Sequence, residues 1–253
     1  MGNSIGLVEV GLGQSTSPEN GIASLALRKL GGKSLVEWVA RRVTEATHLD
    51  GVIAVLGDTP EQREFGQLIP LDIPVCYSSR PDPLARVAEA ISEYRATEIV
   101  YVSVESPFVD PQMIDRLLMT AKSNPTCDYI SYCSQNGQAA RSRLGVLAEW
   151  CRAESLKRAN REATAPADRN DITRYLCGHP ELFQLRLMPL PERLDRDDVR
   201  LVLNVEEDWD HAEAIVEALG AEALAWQRIA GFLDHQPAIR QRMAVLNRTL
   251  SAC

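Results

Sequence analysis

Short, nearly continuous apolar runs alternate along the chain with segments whose apolar residues recur every three or four positions. The runs "IGLVEV" (5–10), "GVIAVL" (51–56), "PVCYS" (74–78), "EIVYVS" (98–103) and "CDYISYC" (127–133) predict strands. Between them, "SLVEWVARRVTEA" (34–46) puts Leu35, Val36, Val39 and Val43 at helical spacing. "DPLARVAEAISEY" (82–94) places Leu84, Val87, Ala88 and Ile91 on one face, and "PQMIDRLLMTAK" (111–122) is a further helix. Asp82-Pro83 and Asp110-Pro111 are helix starts, with Asp as the N-cap and Pro at the first helical position. Strands that are apolar throughout are buried on both faces, so this β-α alternation predicts a doubly wound, mostly parallel sheet. Ligands in such sheets sit beyond the carboxyl ends of the strands. That rule gathers the 11–33 loop, the segment after Tyr77 and residues 104–110 around one crevice.

The second half is less regular. "LGVLAEWC" (144–151) and "VRLVLNV" (199–205) predict strands, and "AESLKRANREA" (153–163) and "EEDWDHAEAIVEALG" (206–220) predict helices. "TAPADRND" (164–171) reads as a polar loop, and "ITRYLCGHPELF" (172–183) as a helix closed by Gly178. Residues 221–253 read as two helices broken at Pro237. The simplest division is an α/β domain over 1–220 and a helical appendage over 221–253. Leu224, Trp226, Ile229 and Phe232 give that appendage a broad apolar surface, which packs on the sheet's flank or pairs with a second copy in a homodimer.

Composition narrows the function classes. A chain of 253 residues, 45% hydrophobic and 25% charged, suits one large α/β domain. A net charge of −8 argues against a sequence-independent nucleic-acid binder. No apolar run reaches the length of a membrane span, and the start lacks the basic and apolar regions of a signal peptide. "MGNSIG" has Gly6 where a myristoylation start has Ser or Thr. The six cysteines show no CxxC and no His-Cys ligand spacing, which fits reduced thiols in a cytoplasmic protein.

Three stretches carry candidate chemistry. "GLGQSTSPENGIASLALRKLGGK" (11–33) holds five glycines, with Arg28, Lys29 and Lys33 at its end. A Gly-rich loop between a strand and a helix can hold phosphate on its backbone N–H groups, although this one is neither a Walker A loop nor GxGxxG, and a plain surface loop stays open. Glu105 ends a central strand, where it is either a Mg²⁺ ligand or a solvated acid paired with an Arg. Asn204 ends another predicted strand and could ligate through its carbonyl oxygen. The four histidines are scattered and form no metal-ligand or triad pattern.

"KLGGKSLVEWVARRV" (29–43), "DPLARVAEA" (82–90), "VESPFVDPQMIDRLL" (104–118), "RNDITRYLCGHPELFQL" (169–185) and "LNVEEDWDHAEAIVEAL" (203–219), in this order, resemble a known family. It is the cytidylyltransferase family of spore-coat polysaccharide synthesis, related to acylneuraminate cytidylyltransferases. The resemblance implies a nucleotidyltransferase fold of the glycosyltransferase-A type, a mixed, mostly parallel sheet between helices. It implies transfer of CMP, or another nucleoside monophosphate, from a triphosphate such as CTP to a sugar or sugar acid, with Mg²⁺ as cofactor. Mapped onto this chain, Lys33 and Arg28 are the catalytic cations that stabilise developing charge. Gly11, Gly13, Ser15, Lys29, Ser78, Asp82 and Arg86 contact the nucleotide, and Glu105 and Asn204 hold the metal.

The chain departs from the family pattern in charge. No Lys or Arg stands between residue 11 and Arg28, and the family's catalytic Lys falls near Ser24–Leu25. The strand-end Asp is Glu105, and a second acidic position is Asn204. Each lost charge-assisted contact weakens triphosphate binding by about 1.5–3 kcal/mol. The alternative to an active enzyme is therefore a catalytically impaired relative that binds a nucleotide, a sugar or a protein.

Overall fold

The computed structural model describes residues 2–10, 27–135, 144–222 and 224–250. Gly11, Gly13 and Ser15 lie outside these described residues. Among these residues there are nine strands: β1 (Ser4–Glu9), β2 (Lys29–Leu30), β3 (Lys33–Ser34), β4 (Gly51–Gly57), β5 (Val75–Ser78), β6 (Glu98–Ser103), β7 (Tyr129–Cys133), β8 (Glu149–Arg152) and β9 (Leu185–Pro189). Seven form one sheet in the order β5-β4-β1-β6-β8-β7-β9, and β2 and β3 form a separate hairpin. All neighbours in the large sheet are parallel except β8, which runs against both β6 and β7. The result is the expected mixed, mostly parallel sheet.

The two-residue period of each strand divides the core into two. Ile5 and Leu7, Ile53 and Val55, Ile99, Tyr129 and Cys151 face one side. Val8, Val52, Ala54, Leu56, Val100, Val102, Ile130 and Trp150 face the other. The first side is covered by α3 (Pro83–Glu93), α5 (Ala153–Glu162) and α7 (Arg174–Gly178), through Leu84, Ile91, Leu156 and Leu176. The other is covered by α1 (Leu35–Thr44), α4 (Pro111–Ser123), α8 (Glu206–Leu219), α9 (Trp226–Asp234) and α10 (Pro237–Leu250). Ile229, Leu233 and Met243 of the last two helices are buried in that same core. Two further short helices are α2 (Pro60–Gly66) and α6 (Pro166–Asn170).

Local chemistry sets the helix starts. Asp82 Oδ1 accepts the Ala85 N–H at 2.9 Å, and Asp110 Oδ1 accepts those of Gln112 and Met113 at 2.9 and 3.3 Å. The other Asp110 oxygen accepts the Trp226 N–H at 2.9 Å, so one carboxylate caps two helices 116 residues apart in sequence.

Three expectations are corrected, and one unexpected strand is present. Residues 199–205 form no strand: Val199, Leu201 and Leu203 are buried, but the segment runs as unladdered extended chain. It lies against the backbone near Gly145, where a Cβ would stand 2.1 Å from Leu201 O. The predicted strand at 144–151 begins only at Glu149. The loop at 164–171 contains α6. Finally, the sequence pattern does not predict β9, because this edge strand is short and mostly exposed, with Met188 its one buried residue. No described helix is long and apolar enough to cross a membrane. Cys76, Cys127, Cys133, Cys151 and Cys177 are free thiols.

Candidate active site

The parallel strands end on one rim: Glu9 of β1, Gly57 of β4, Ser78 of β5 and Ser103 of β6. The Val104 N–H donates to Glu9 O at 3.2 Å and the Asp58 N–H to Ser78 O at 2.9 Å, which closes the rim. After β6 the chain turns through Glu105 to Asp110. That turn is held by Trp38 Nε1, which donates to Pro107 O at 2.7 Å. Arg42 holds it too, through Nε to Val109 O at 3.0 Å and Nη2 to Leu224 O at 3.1 Å. Burial lowers the pKa of this guanidinium against the opposing charges of Glu45 and Asp110.

Glu105 and Asn204 come together here. The Glu105 carbonyl accepts the Leu203 N–H at 3.0 Å, which lays 203–206 beside the strand end. Hydrogen-bond matching orients the Asn204 amide with its nitrogen toward Glu105 Oε2 at 2.9 Å and Leu203 O at 3.2 Å. The backbone N–H groups of Asn204 and Val205 donate to Asp208 Oδ2 at 3.0 and 3.2 Å. Asp208 is gripped by Arg200 at 2.7 and 2.8 Å, with both side chains buried. A buried bidentate ion pair therefore sets the position of Asn204.

The basic hairpin meets the same segment. β2 and β3 pair Lys29 with Ser34 and Leu30 with Lys33 across a two-residue turn. Gly31 and Gly32 both have positive φ, 56° and 85°, as such a tight turn requires. Arg28 precedes it, with Nη1 2.5 Å from Glu206 Oε1 and its guanidinium 4.3 Å from the Trp209 ring centroid. The hairpin is thereby tied to the start of α8, two residues from Asn204. Lys29 is exposed and Lys33 half-buried.

The remaining candidates lie around β5 and α3. The Arg86 Nη2 stands 3.7 Å from Glu9 Oε1 at the end of β1, and Nη1 donates to Arg80 O at 3.4 Å. Its buried Nε has no hydrogen-bond partner among the described residues. Ser78 Oγ donates to Glu89, and Asp82 caps α3 while its second oxygen accepts from Arg169 Nε at 2.8 Å. Both Ser78 and Asp82 are engaged in local structure at the rim. Sequence reasoning missed Glu9, although a carboxylate near the end of "IGLVEV" was the available signal.

Glu105 and Asn204 together offer one carboxylate and one amide oxygen, and no group of three His, Cys, Asp or Glu that could hold a metal exists among the described residues. That set is too sparse for an all-protein cage. It fits Mg²⁺, which keeps several waters and is bound by one or two protein oxygens plus substrate phosphates. Ligation needs the Asn204 amide to turn its oxygen inward, away from the geometry in which its nitrogen meets Glu105.

A family model for the MobA-like NTP transferase domain matches residues 21–222. The chain belongs to this family. Among curated proteins, it is 24% identical over 232 residues to the uncharacterised protein MJ1063 of Methanocaldococcus jannaschii, covering 91% of this chain and 92% of that one. It is also 24% identical over 200 residues to the spore coat polysaccharide biosynthesis protein SpsF of Bacillus subtilis, covering 77% and 80%. Among solved structures, a cytidylyltransferase from Leptospira borgpetersenii superposes with a TM-score of 0.83 at 17% identity, over 95% of this chain and 98% of that one. A CMP:2-keto-3-deoxy-manno-octonic acid synthetase complexed with CTP gives 0.62 at 11% identity, over 85% and 99%. The fold of this NTP transferase domain is therefore that of the nucleotidyltransferases it superposes on, and Glu105, Asn204, Arg86 and the Gly31-Gly32 hairpin lie around its strand-end rim.

Proposed function

We propose that the protein is a cytoplasmic, Mg²⁺-dependent nucleotidyltransferase that moves CMP from CTP onto a sugar or sugar acid in surface-polysaccharide synthesis. The observation that carries this reading is the meeting of Glu105 and Asn204 at the end of the central strand. A hydroxyl oxygen of the sugar forms the new bond to the α-phosphorus and gives its proton to water, the bond from that phosphorus to the bridging oxygen breaks, and pyrophosphate leaves with the electron pair. Bound Mg²⁺ would neutralise phosphate charge between Glu105 and Asn204. Lys33 and Arg28, with Lys29, stand in for the basic groups absent from 11–27, and stabilise the charge that builds on the phosphates. Arg28 must first exchange Glu206 for phosphate, an exposed pairing that costs little to break. Gly11, Gly13, Ser15, Ser78, Asp82 and Arg86 complete the nucleotide pocket. Residues 1–220 form the catalytic unit in this reading. Residues 221–253 brace it and could also carry a homodimer contact.

A thermal-shift series with CTP, UTP, ATP, GTP and TTP, each with Mg²⁺ and with EDTA, tests this first. A saturable, Mg²⁺-dependent rise with CTP is expected, and Glu105→Ala should abolish it and stop pyrophosphate release while the fold survives. Unchanged turnover in that variant would remove the metal role.

The second reading is a catalytically impaired relative that binds a nucleotide, sugar or protein. It is favoured by the neutral Asn204 and by Arg28 being engaged by Glu206. No stabilisation by any triphosphate would select it.

A further inference from the structure

We propose that the groove between α3 and α5 is a second ligand site, built for a small phosphate-bearing anion and adjoining the strand-end rim through the 78–82 segment. The groove encloses about 720 Å³. One wall is the face of α3 turned toward α5, where Ala85, Ala88 and Ser92 recur three and four residues apart. Their small side chains leave the hollow. The opposite wall is α5, which presents Lys157 and Arg161. Arg80 stands where the groove approaches β5, and Arg169 of α6 also lines it.

Four cationic side chains thus face one carboxylate, Glu89, on a chain whose net charge is −8. Of the four, Arg169 alone is firmly committed to local structure. Arg169 is fixed, with Nε on Asp82 at 2.8 Å, Nη1 on the Asn160 and Ala163 carbonyls at 3.0 and 3.1 Å, and Nη2 on Asn160 Oδ1 at 2.9 Å. One Nη2 hydrogen remains for a ligand. Arg80 meets Glu89 only at 3.4 Å with both side chains largely exposed, and Lys157 meets the exposed Glu154 at 3.0 Å. Such pairs are readily exchanged for a stronger partner. Arg161 makes no ion pair among the described residues. The forks of Arg80 and Arg161, with Lys157, match a phosphate dianion, which accepts paired N–H bonds from each fork. Ala85 and Ala88 can receive the uncharged part of the molecule. The proposal does not depend on nucleotidyl transfer in the crevice.

Amide NMR on the full chain, titrated with inorganic pyrophosphate, locates the binding. The expected result is saturable shifts at Ala85, Ala88, Ser92, Lys157 and Arg161. The Lys157→Ala/Arg161→Ala double variant should bind there about tenfold or more weakly, with any shifts at Gly31 and Gly32 unchanged. Ala88→Leu, which fills the hollow without altering charge, should weaken binding as well. Shifts confined to the crevice, groove shifts of equal affinity in both variants, or equal affinity for sulfate would each overturn the proposal.

Discussion

Asn204 Nδ2 lies 2.9 Å from Glu105 Oε2, so two residues 99 positions apart share a hydrogen bond at the end of the central strand. An amide nitrogen cannot ligate a cation. The contact therefore holds the pair in register while leaving the carboxylate as the only charge between them. Changing Asn204→Asp should convert it to a two-carboxylate site. Each added charged contact contributes about 1.5–3 kcal/mol, so Mn²⁺ affinity, read by titration calorimetry, should rise about 10–100-fold. Unchanged affinity would show that the two positions do not share an ion.

The hairpin glycines should differ in their tolerance. Gly32 has positive φ but open space, since nothing lies within 4 Å of the point a Cβ would occupy, whereas a Cβ at Gly31 would stand 2.5 Å from Trp38 Cζ3. Gly32→Ala should cost about 1–2 kcal/mol from backbone strain alone. Gly31→Ala should cost more, because Trp38 is also held by Pro107 and cannot yield without disturbing the Glu105 turn. Urea denaturation of the two variants gives the comparison, and equal losses would refute it.

Asp110 is 1% exposed and accepts three backbone N–H groups from two helices. Asp110→Ala should cost about 2–4 kcal/mol, lowering Tm by about 5–15 °C in calorimetry. Asp110→Asn retains one acceptor oxygen and should recover part of that loss. A drop as large as that of the Ala variant would mean that both oxygens are needed.

His211 of α8 is buried, and its Nδ1 has no hydrogen-bond partner among the described residues. Burial lowers its pKa below 6.5, Arg242 and Arg200 act in the same direction, and Asp208 and Asp210 oppose them. The unfolded chain therefore binds a proton more readily than the folded one as pH falls below about 6.5. Stability from this group is complete above that pH and declines as pH falls toward the lowered folded pKa. Chemical denaturation between pH 7 and 5 should show the decline, and His211→Gln should flatten it.

Much of the architecture was legible because its causes are local. The Asp-Pro pairs at 82–83 and 110–111 declare helix starts through the carboxylate and the ring of adjacent residues. The strands of the first half are apolar on both faces, and no other element accommodates that pattern so well at such lengths. Glu105 and Asn204 were readable as strand-end and segment-end positions, but their contact depends on how 199–205 folds. There the alternation of Val199, Leu201 and Leu203 with Arg200 resembles a strand. The true cause is burial against Gly145 and the Arg200–Asp208 pair, which spans eight residues and leaves no periodic mark. The contacts Arg86–Glu9 and Arg28–Glu206 join residues far apart in sequence, and no local pattern encodes them.

The position of β8 has a consequence for biosynthesis. Among the described residues β7 (Tyr129–Cys133) pairs with β8 and β9, both of which are encoded later, and β6 reaches the second half of the sheet through β8. A nascent chain extended just past Cys133 therefore carries an apolar strand with both edges open. At the usual pace of translation, the roughly 16 residues between Cys133 and Glu149 hold that state for about 1–3 s before its first partner is made. In that interval the open strand can misassociate, and a chaperone that shields open edges would raise yield.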